Sequence, residues 1–262
     1  MHERHPFHLV NNSPWPLFVS IGLLKVVFNF ILFFHYFQAG STHLLISILV
    51  LCFFLSRWFL DIIIESTFEG HHTLKVQQGI RFGMCLFIVS EIMFFFSFFW
   101  GFFHFSFSPS FGIGCIWPPV GITTLDPFGL PLTNTIILLS SGVTITSAHR
   151  GILTGQRGMA IFTIFLTLLL GLLFTSIQAF EYLVAPFSIN DGIFGSLFFM
   201  LTGFHGFHVF VGSLFLIVCL YRQVGYQFTV KQHIGFEAAA WYWHFVDVVW
   251  LGLFVLVYIW GG

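Results

Sequence analysis

The sequence predicts an all-α integral membrane protein with seven transmembrane helices in a single domain, 1–262. Three observations lead there. Of the 262 residues, 57% are hydrophobic and only 7% charged, where soluble domains carry about 25% charged residues. A water-facing surface built from this composition could not hide its apolar area. The apolar runs are long and unbroken rather than alternating, so helices, not a closed barrel, satisfy the backbone inside lipid. The nine Lys and Arg residues also fall in an order that fixes a topology.

The spans are 16–37, 44–64, 82–105, 130–148, 158–180, 193–221 and 235–260. Each accommodates the roughly 20 residues a bilayer requires, and the sixth has residues to spare for tilt or protrusion. Arg4 precedes the first span, and Lys75 and Arg81 flank the start of the third. Arg150 and Arg157 lie between the fourth and fifth, and Arg222 and Lys231 between the sixth and seventh. All seven face one side. The connections 38–43, 106–129 and 181–192 and the C-terminus carry no Lys or Arg. The positive-inside rule then places the N-terminus inside and the C-terminus outside, which requires an odd number of crossings. The 106–129 connection holds Trp117 and four of the nine prolines, the composition of an ordered surface loop. Residues 1–14 are polar and His-rich, and the first apolar run is too long and too late for a signal peptide. No internal repeat of the inverted-transporter kind is visible.

The net charge of −1 offers no basic face for nucleic acid. Cys52, Cys85, Cys115 and Cys219 form no CxxC pair and read as small hydrophobes. Forty phenylalanines, many where Leu or Val would serve, suggest a T-rich coding sequence.

Polar side chains within spans are costly and mark places where protein, not lipid, is the neighbour. Glu91 lies near the middle of the third span; it fits a carboxyl bonded to a neighbouring helix and equally a proton or gating site. In the seventh span Glu237, His244 and Asp247 stand out; the three-residue spacing of the last two gives a structural pair, an acid orienting a histidine, preferred over a metal or haem ligand. His205 and His208 in the sixth span sit among Gly203 and Gly206, a pattern for close helix packing. The hydroxyl-rich fourth span reads as packed against protein. Lys25, deep in the first span, is expected to snorkel toward Asp61 or Glu65, with Arg57 completing a structural ion-pair group on the second. His2, His5 and His8 repeat every three residues on the inner tail, as a solvated segment or as proton collectors. No position offers a convincing metal cage.

The motifs now in view bring a resemblance to subunit III of cytochrome c oxidase, in its mitochondrial form. They run from His5-Pro-Phe-His-Leu-Val10 and Ser13-Pro-Trp-Pro16 through Asp61 and Glu65-Ser-Thr-Phe-Glu-Gly-His-His-Thr73. They continue with Ser90-Glu-Ile-Met-Phe-Phe-Phe96, Phe98-Phe-Trp100, Trp117-Pro-Pro119 and Ser141-Gly-Val-Thr-Ile-Thr146. Ala185-Pro-Phe-Ser-Ile-Asn-Asp-Gly192, Thr202-Gly-Phe-His-Gly-Phe-His208 and Gly235 through Trp250 complete a nearly end-to-end match. The resemblance implies a V-shaped arrangement, a two-helix arm at 16–64 and a five-helix bundle at 82–260, with phospholipids in the cleft. It implies a matrix N-terminus and an intermembrane-space C-terminus in the mitochondrial inner membrane, and a mitochondrial gene. The partners would be oxidase subunits I and II and supernumerary subunits; haem a and copper would sit in partner subunits, with no catalytic or metal group in this chain. Glu91 matches the family's buried carboxyl near the lipid cleft, and His2, His5 and His8 match its matrix-side histidines. The chain departs from the family pattern at Trp58-Phe-Leu-Asp61, where Arg usually precedes Asp, at Ile64, usually Arg, and at Ser147 and Arg150, usually Trp and His. The expected role is a non-catalytic core subunit of a proton-pumping terminal oxidase that stabilises subunit I and supports proton uptake. The alternative from another class is a proton-coupled transporter. A retinal-type pump would require a lysine within the seventh span, and Lys231 lies before it.

Overall fold

The computed structural model describes residues 6–262, and among these it forms seven long helices and no strand. They are α1 (Trp15–Phe34), α2 (Gly40–Thr67), α3 (Leu74–Phe107), α4 (Leu130–Leu153), α5 (Arg157–Val184), α6 (Gly192–Val224) and α7 (Ile234–Leu253). The last continues as a π-helical turn over Phe254–Ile259. All seven are long and apolar enough to cross a membrane, with mean hydropathy between 1.3 and 2.4 over their best windows. Helices α2 to α6 overrun the apolar spans, most at α3, which has 34 residues, whereas α1 stops at Phe34, short of its span's end. Hydropathy marks where hydrocarbon begins, whereas a helix ends only where its backbone bonds stop.

The chain divides into two compact units, residues 1–80 and 81–262. The first unit is built on the α1–α2 hairpin. Trp15 Nε1 donates to Asp61 Oδ2 at 2.7 Å, the Phe18 and Phe54 rings stack 5.2 Å apart, and Asn29 Nδ2 donates to the His43 carbonyl at 3.3 Å. Gly22 lets the Leu51 backbone and side chain come close; a Cβ there would lie 3.2 Å from Leu51 Cδ1.

This register overturns the expected ion pairs. Lys25 falls between the Gly22–Leu51 and Asn29–His43 contacts, more than two turns from Asp61, and is exposed. Asp61 is taken by Trp15 and Glu65 faces His8 at 3.8 Å. Arg57 lies over the Phe53 ring at 5.4 Å rather than on Asp61. Spacing had placed Arg57 and Asp61 on one face, but the indole reaches the carboxylate across the hairpin first.

In the second unit α7 is the centre. Trp243, Trp250, Phe236, Val246 and Leu253 are fully buried on it. Two hydroxyls of α4 face this helix. Trp243 Nε1 donates to Ser141 Oγ at 2.8 Å, and Trp250 Nε1 donates to Thr135 Oγ1 at 3.0 Å. Thr144 meets Thr167 of α5 at 2.7 Å. Each indole N–H, which would be costly to bury alone, is thereby satisfied. At the α4–α5 turn Gly151 allows backbone contact; a Cβ there would stand 3.0 Å from the Ala160 nitrogen. Arg157, at the start of α5, donates from Nε to the Gln223 carbonyl at 3.1 Å and from Nη2 to the Val224 carbonyl, and its guanidinium lies 3.3 Å from the Tyr226 ring centre. A cation thus closes the carbonyl end of α6. The 106–129 connection is anchored by Trp117, which donates to the Gly261 carbonyl at 3.1 Å and packs edge-on against Phe102.

The glycines of α6 behave differently from expectation. A Cβ at Gly203 or Gly206 would meet nothing within 4 Å. The close approaches lie instead at Gly171 and Gly212, where added Cβ atoms would stand 2.7 Å and 3.1 Å from the Trp243 ring. Small residues permit contact, but which of them receive it depends on where the largest side chain of the neighbouring helix sits.

Candidate functional site

The residues with chemistry gather at four junctions, three in the larger unit and one in the smaller. The first joins α3 and α6. Glu91 Oε2 lies 2.8 Å from His208 Nε2. His208 Nδ1 lies 2.6 Å from the Phe204 carbonyl of its own helix, so Nδ1 must carry a proton. That leaves two states: a neutral imidazole accepting from a protonated Glu91, or an imidazolium facing a carboxylate. Either way one proton is held between acid and base. His208 is buried and Glu91 half-buried, and Phe94, Phe95 and Phe204 pack around the pair. His205, one turn earlier, points elsewhere; its Nε2 lies 3.2 Å from the Val246 carbonyl of α7, between Phe174 and Trp250. Two histidines three residues apart therefore bond to two different helices and share no ligand.

The second junction lies where α3 and α7 begin and α4 finishes. Arg81 grips Glu237 with two bonds, Nε to Oε2 at 2.7 Å and Nη2 to Oε1 at 3.2 Å. His233 Nε2 lies 3.3 Å from Glu237 Oε1 and 3.3 Å from His149 Nε2, while its Nδ1 donates to the Thr229 carbonyl at 3.0 Å. The ligand atoms of His149, His233 and Glu237 all fall within 4.8 Å of one another, the grouping among the described residues that comes nearest to a metal-binding set. The Arg81 guanidinium occupies both oxygens of the one carboxylate in it, so the positive charge a cation would bring is already in place.

The third junction is the seventh-span pair. His244 Nδ1 lies 3.5 Å from Asp247 Oδ2, and its Nε2 lies 3.4 Å from Thr146 Oγ1. Asp247 is buried and His244 half-exposed. Gly142 makes room for the carboxylate: a Cβ there would be 2.6 Å from Oδ2.

The fourth is in the smaller unit. His2 and His5 lie outside the described residues. His8 stacks on His71 with ring centres 5.0 Å apart, meets His72 edge-on at 5.8 Å, and faces Glu65 at 3.8 Å; His71 bonds Glu69 at 3.0 Å. Three imidazoles and two carboxylates thus share one patch.

Sequence reasoning missed several of these residues. His149, His233 and Arg81 escaped because they lie at helix ends, outside the apolar windows. Glu181 was assigned to a connection, yet α5 carries it to a fully buried position, where Tyr258 donates to its Oε1 at 2.6 Å and Gln178 at 3.4 Å. Gln178 in turn accepts from Asn134 at 3.3 Å. Nothing in the local pattern announces this network, because its members are 44 to 124 residues apart in sequence except for Gln178 and Glu181. His71 and His72, beside Glu69, did carry a signal, a histidine pair next to an acid at a helix end.

Comparison with known proteins gives a consistent picture. The family model described as cytochrome c oxidase subunit III matches residues 5–262. The chain is 55% identical over 260 residues to cytochrome c oxidase subunit 3 of Triticum aestivum, covering 99% of this chain and 98% of that protein. It is 54% identical to the same subunit of Marchantia polymorpha, with the same coverage, and 54% identical to that of Cyprinus carpio, with 99% of both chains covered.

Proposed function

Because this chain belongs to the cytochrome c oxidase subunit III family, and so is a multi-pass subunit of the terminal oxidase complex, we propose that it serves there as a non-catalytic brace and proton-handling subunit. In this reading it stabilises subunit I, contacts subunit II and supernumerary subunits, and holds phospholipids, while haem a and copper reside in the partner chains. Its site is the mitochondrial inner membrane, with the His8 end in the matrix, and its gene is mitochondrial.

The observation that carries the proton reading is the 2.8 Å contact between Glu91 and His208. A carboxyl and an imidazole sharing one proton can release or take it with little rearrangement. The patch of His8, His71 and His72 beside Glu65 and Glu69 supports collection at the inner surface. The remaining polar groups favour bracing. Asp247, Glu237 and His205 each contact a neighbouring helix or an adjacent side chain.

The test is capture of the complex through a tag on this chain, in wild-type and Glu91→Gln forms. We expect the variant complex to keep its haem and copper and to show altered proton uptake. Loss of either metal centre from the variant would refute the accessory role. A transporter would instead move substrate when the chain alone is placed in liposomes.

A further inference from the structure

Lys25 and Arg57 are two exposed cations on membrane-spanning helices, and neither forms an ion pair among the described residues. Lys25 lies ten residues beyond Trp15, the start of α1, which at 1.5 Å per residue is ~15 Å into a hydrocarbon core of ~30 Å. A four-carbon stem recovers less than half of that depth.

The two cations lie on one side of the hairpin. Phe18 is two turns before Lys25 and shares its face; Phe54 is one turn before Arg57. These two rings stack on each other, so the faces that carry them point the same way. Side chains lean toward the N-terminus of their own helix. On the antiparallel hairpin this brings Lys25 inward and Arg57 outward, and Arg57 indeed reaches back over Phe53. Both cations therefore lean toward one another along this side of the hairpin, with Arg57 over the Phe53 ring.

We propose that this side of the α1–α2 hairpin docks a transmembrane helix of another subunit carrying an aspartate or glutamate in the inner half of the bilayer. Two cations on one side of a hairpin in hydrocarbon without an anion would be strongly unfavourable, and intramembrane charges are almost always paired. A lipid phosphate is the weaker match, since phosphates lie at the interface and Lys25 sits ~15 Å along its helix from the start of the span. The inference rests on the chain working inside a complex, and not on the Glu91–His208 reading.

The experiment treats the intact complex with a membrane-permeant carbodiimide, which activates a carboxylate so that the Lys25 amine displaces the urea and forms an amide. The expected product is a peptide containing Lys25 joined to an acidic transmembrane peptide of another subunit. In a Lys25→Leu, Arg57→Leu double variant the same subunit should be depleted after mild detergent purification. A Lys25 link to a carboxylate of this same chain overturns the proposal, as does absence of any Lys25 link. So does loss of bound anionic phospholipid from the double variant with subunit composition unchanged. If no other subunit accompanies even the wild-type chain, it is the complex reading that fails.

Discussion

Consider Arg81 replaced by methionine. The guanidinium makes two bonds to Glu237, at 2.7 and 3.2 Å, and the side chains are 36% and 14% exposed. Exposed pairs contribute about 0–1 kcal/mol, whereas removing one partner of a buried pair costs about 3–5 kcal/mol because a charge is left stranded. Here Arg81 is about a third exposed and Glu237 keeps His233 at 3.3 Å, so the cost falls between the two, at about 2 kcal/mol. Glu237→Gln leaves an amide oxygen for Arg81 and removes the charge, at about 1 kcal/mol. The double variant Arg81→Met, Glu237→Gln strands nothing, and should lose less than the sum of the two single variants by about 1 kcal/mol or more. Denaturant titration of the four forms of the full chain in detergent, read by tryptophan fluorescence, supplies the cycle. Additive losses would show that the contact is not energetically coupled and would refute this account of the Arg81–Glu237 junction.

Further outcomes follow from the same geometry. Gly171→Ala drives a Cβ against the buried Trp243 ring at 2.7 Å and should destabilise the chain by about 1–3 kcal/mol. Gly203→Ala meets nothing within 4 Å, and thermal unfolding of the chain should show it neutral or stabilised by up to about 1 kcal/mol. Tyr258→Phe removes the shorter of the two hydrogen bonds to the buried Glu181 and should cost about 1.5–3 kcal/mol, measured by the same titration. Replacing His2, His5 and His8 together should slow matrix-side proton uptake without abolishing it, because His71 and His72 remain in the patch; unchanged pH dependence of turnover would remove the collecting role.

Much of the architecture was legible because two independent signals agreed. The apolar runs number seven and the alternation of basic residues requires an odd number of crossings, and the helices appear in that number and order. Helix ends were less legible: α2 runs on to Thr67 and α5 to Val184, since helices outlast the hydrocarbon layer that hydropathy detects. The candidate residues divide the same way. Spacing within one helix placed His244 beside Asp247, and they are in contact. Partners across helices were not accessible, as with Glu91 and His208, 117 residues apart. Lys25 shows why: its face could be read, but which residue stood opposite depended on hairpin register, set by the Trp15–Asp61 bond and the Gly22–Leu51 approach.

The account centres on a chain whose intramembrane acids and histidines fasten helices together within an oxidase whose redox groups belong to other subunits. The most direct measurement is metal analysis and an absorption spectrum of the tagged complex, repeated after this chain is split from it in detergent. The account predicts that haem and copper stay with the remaining subunits and that the separated chain is colourless. Haem or copper leaving with this chain, bound stoichiometrically, would contradict it.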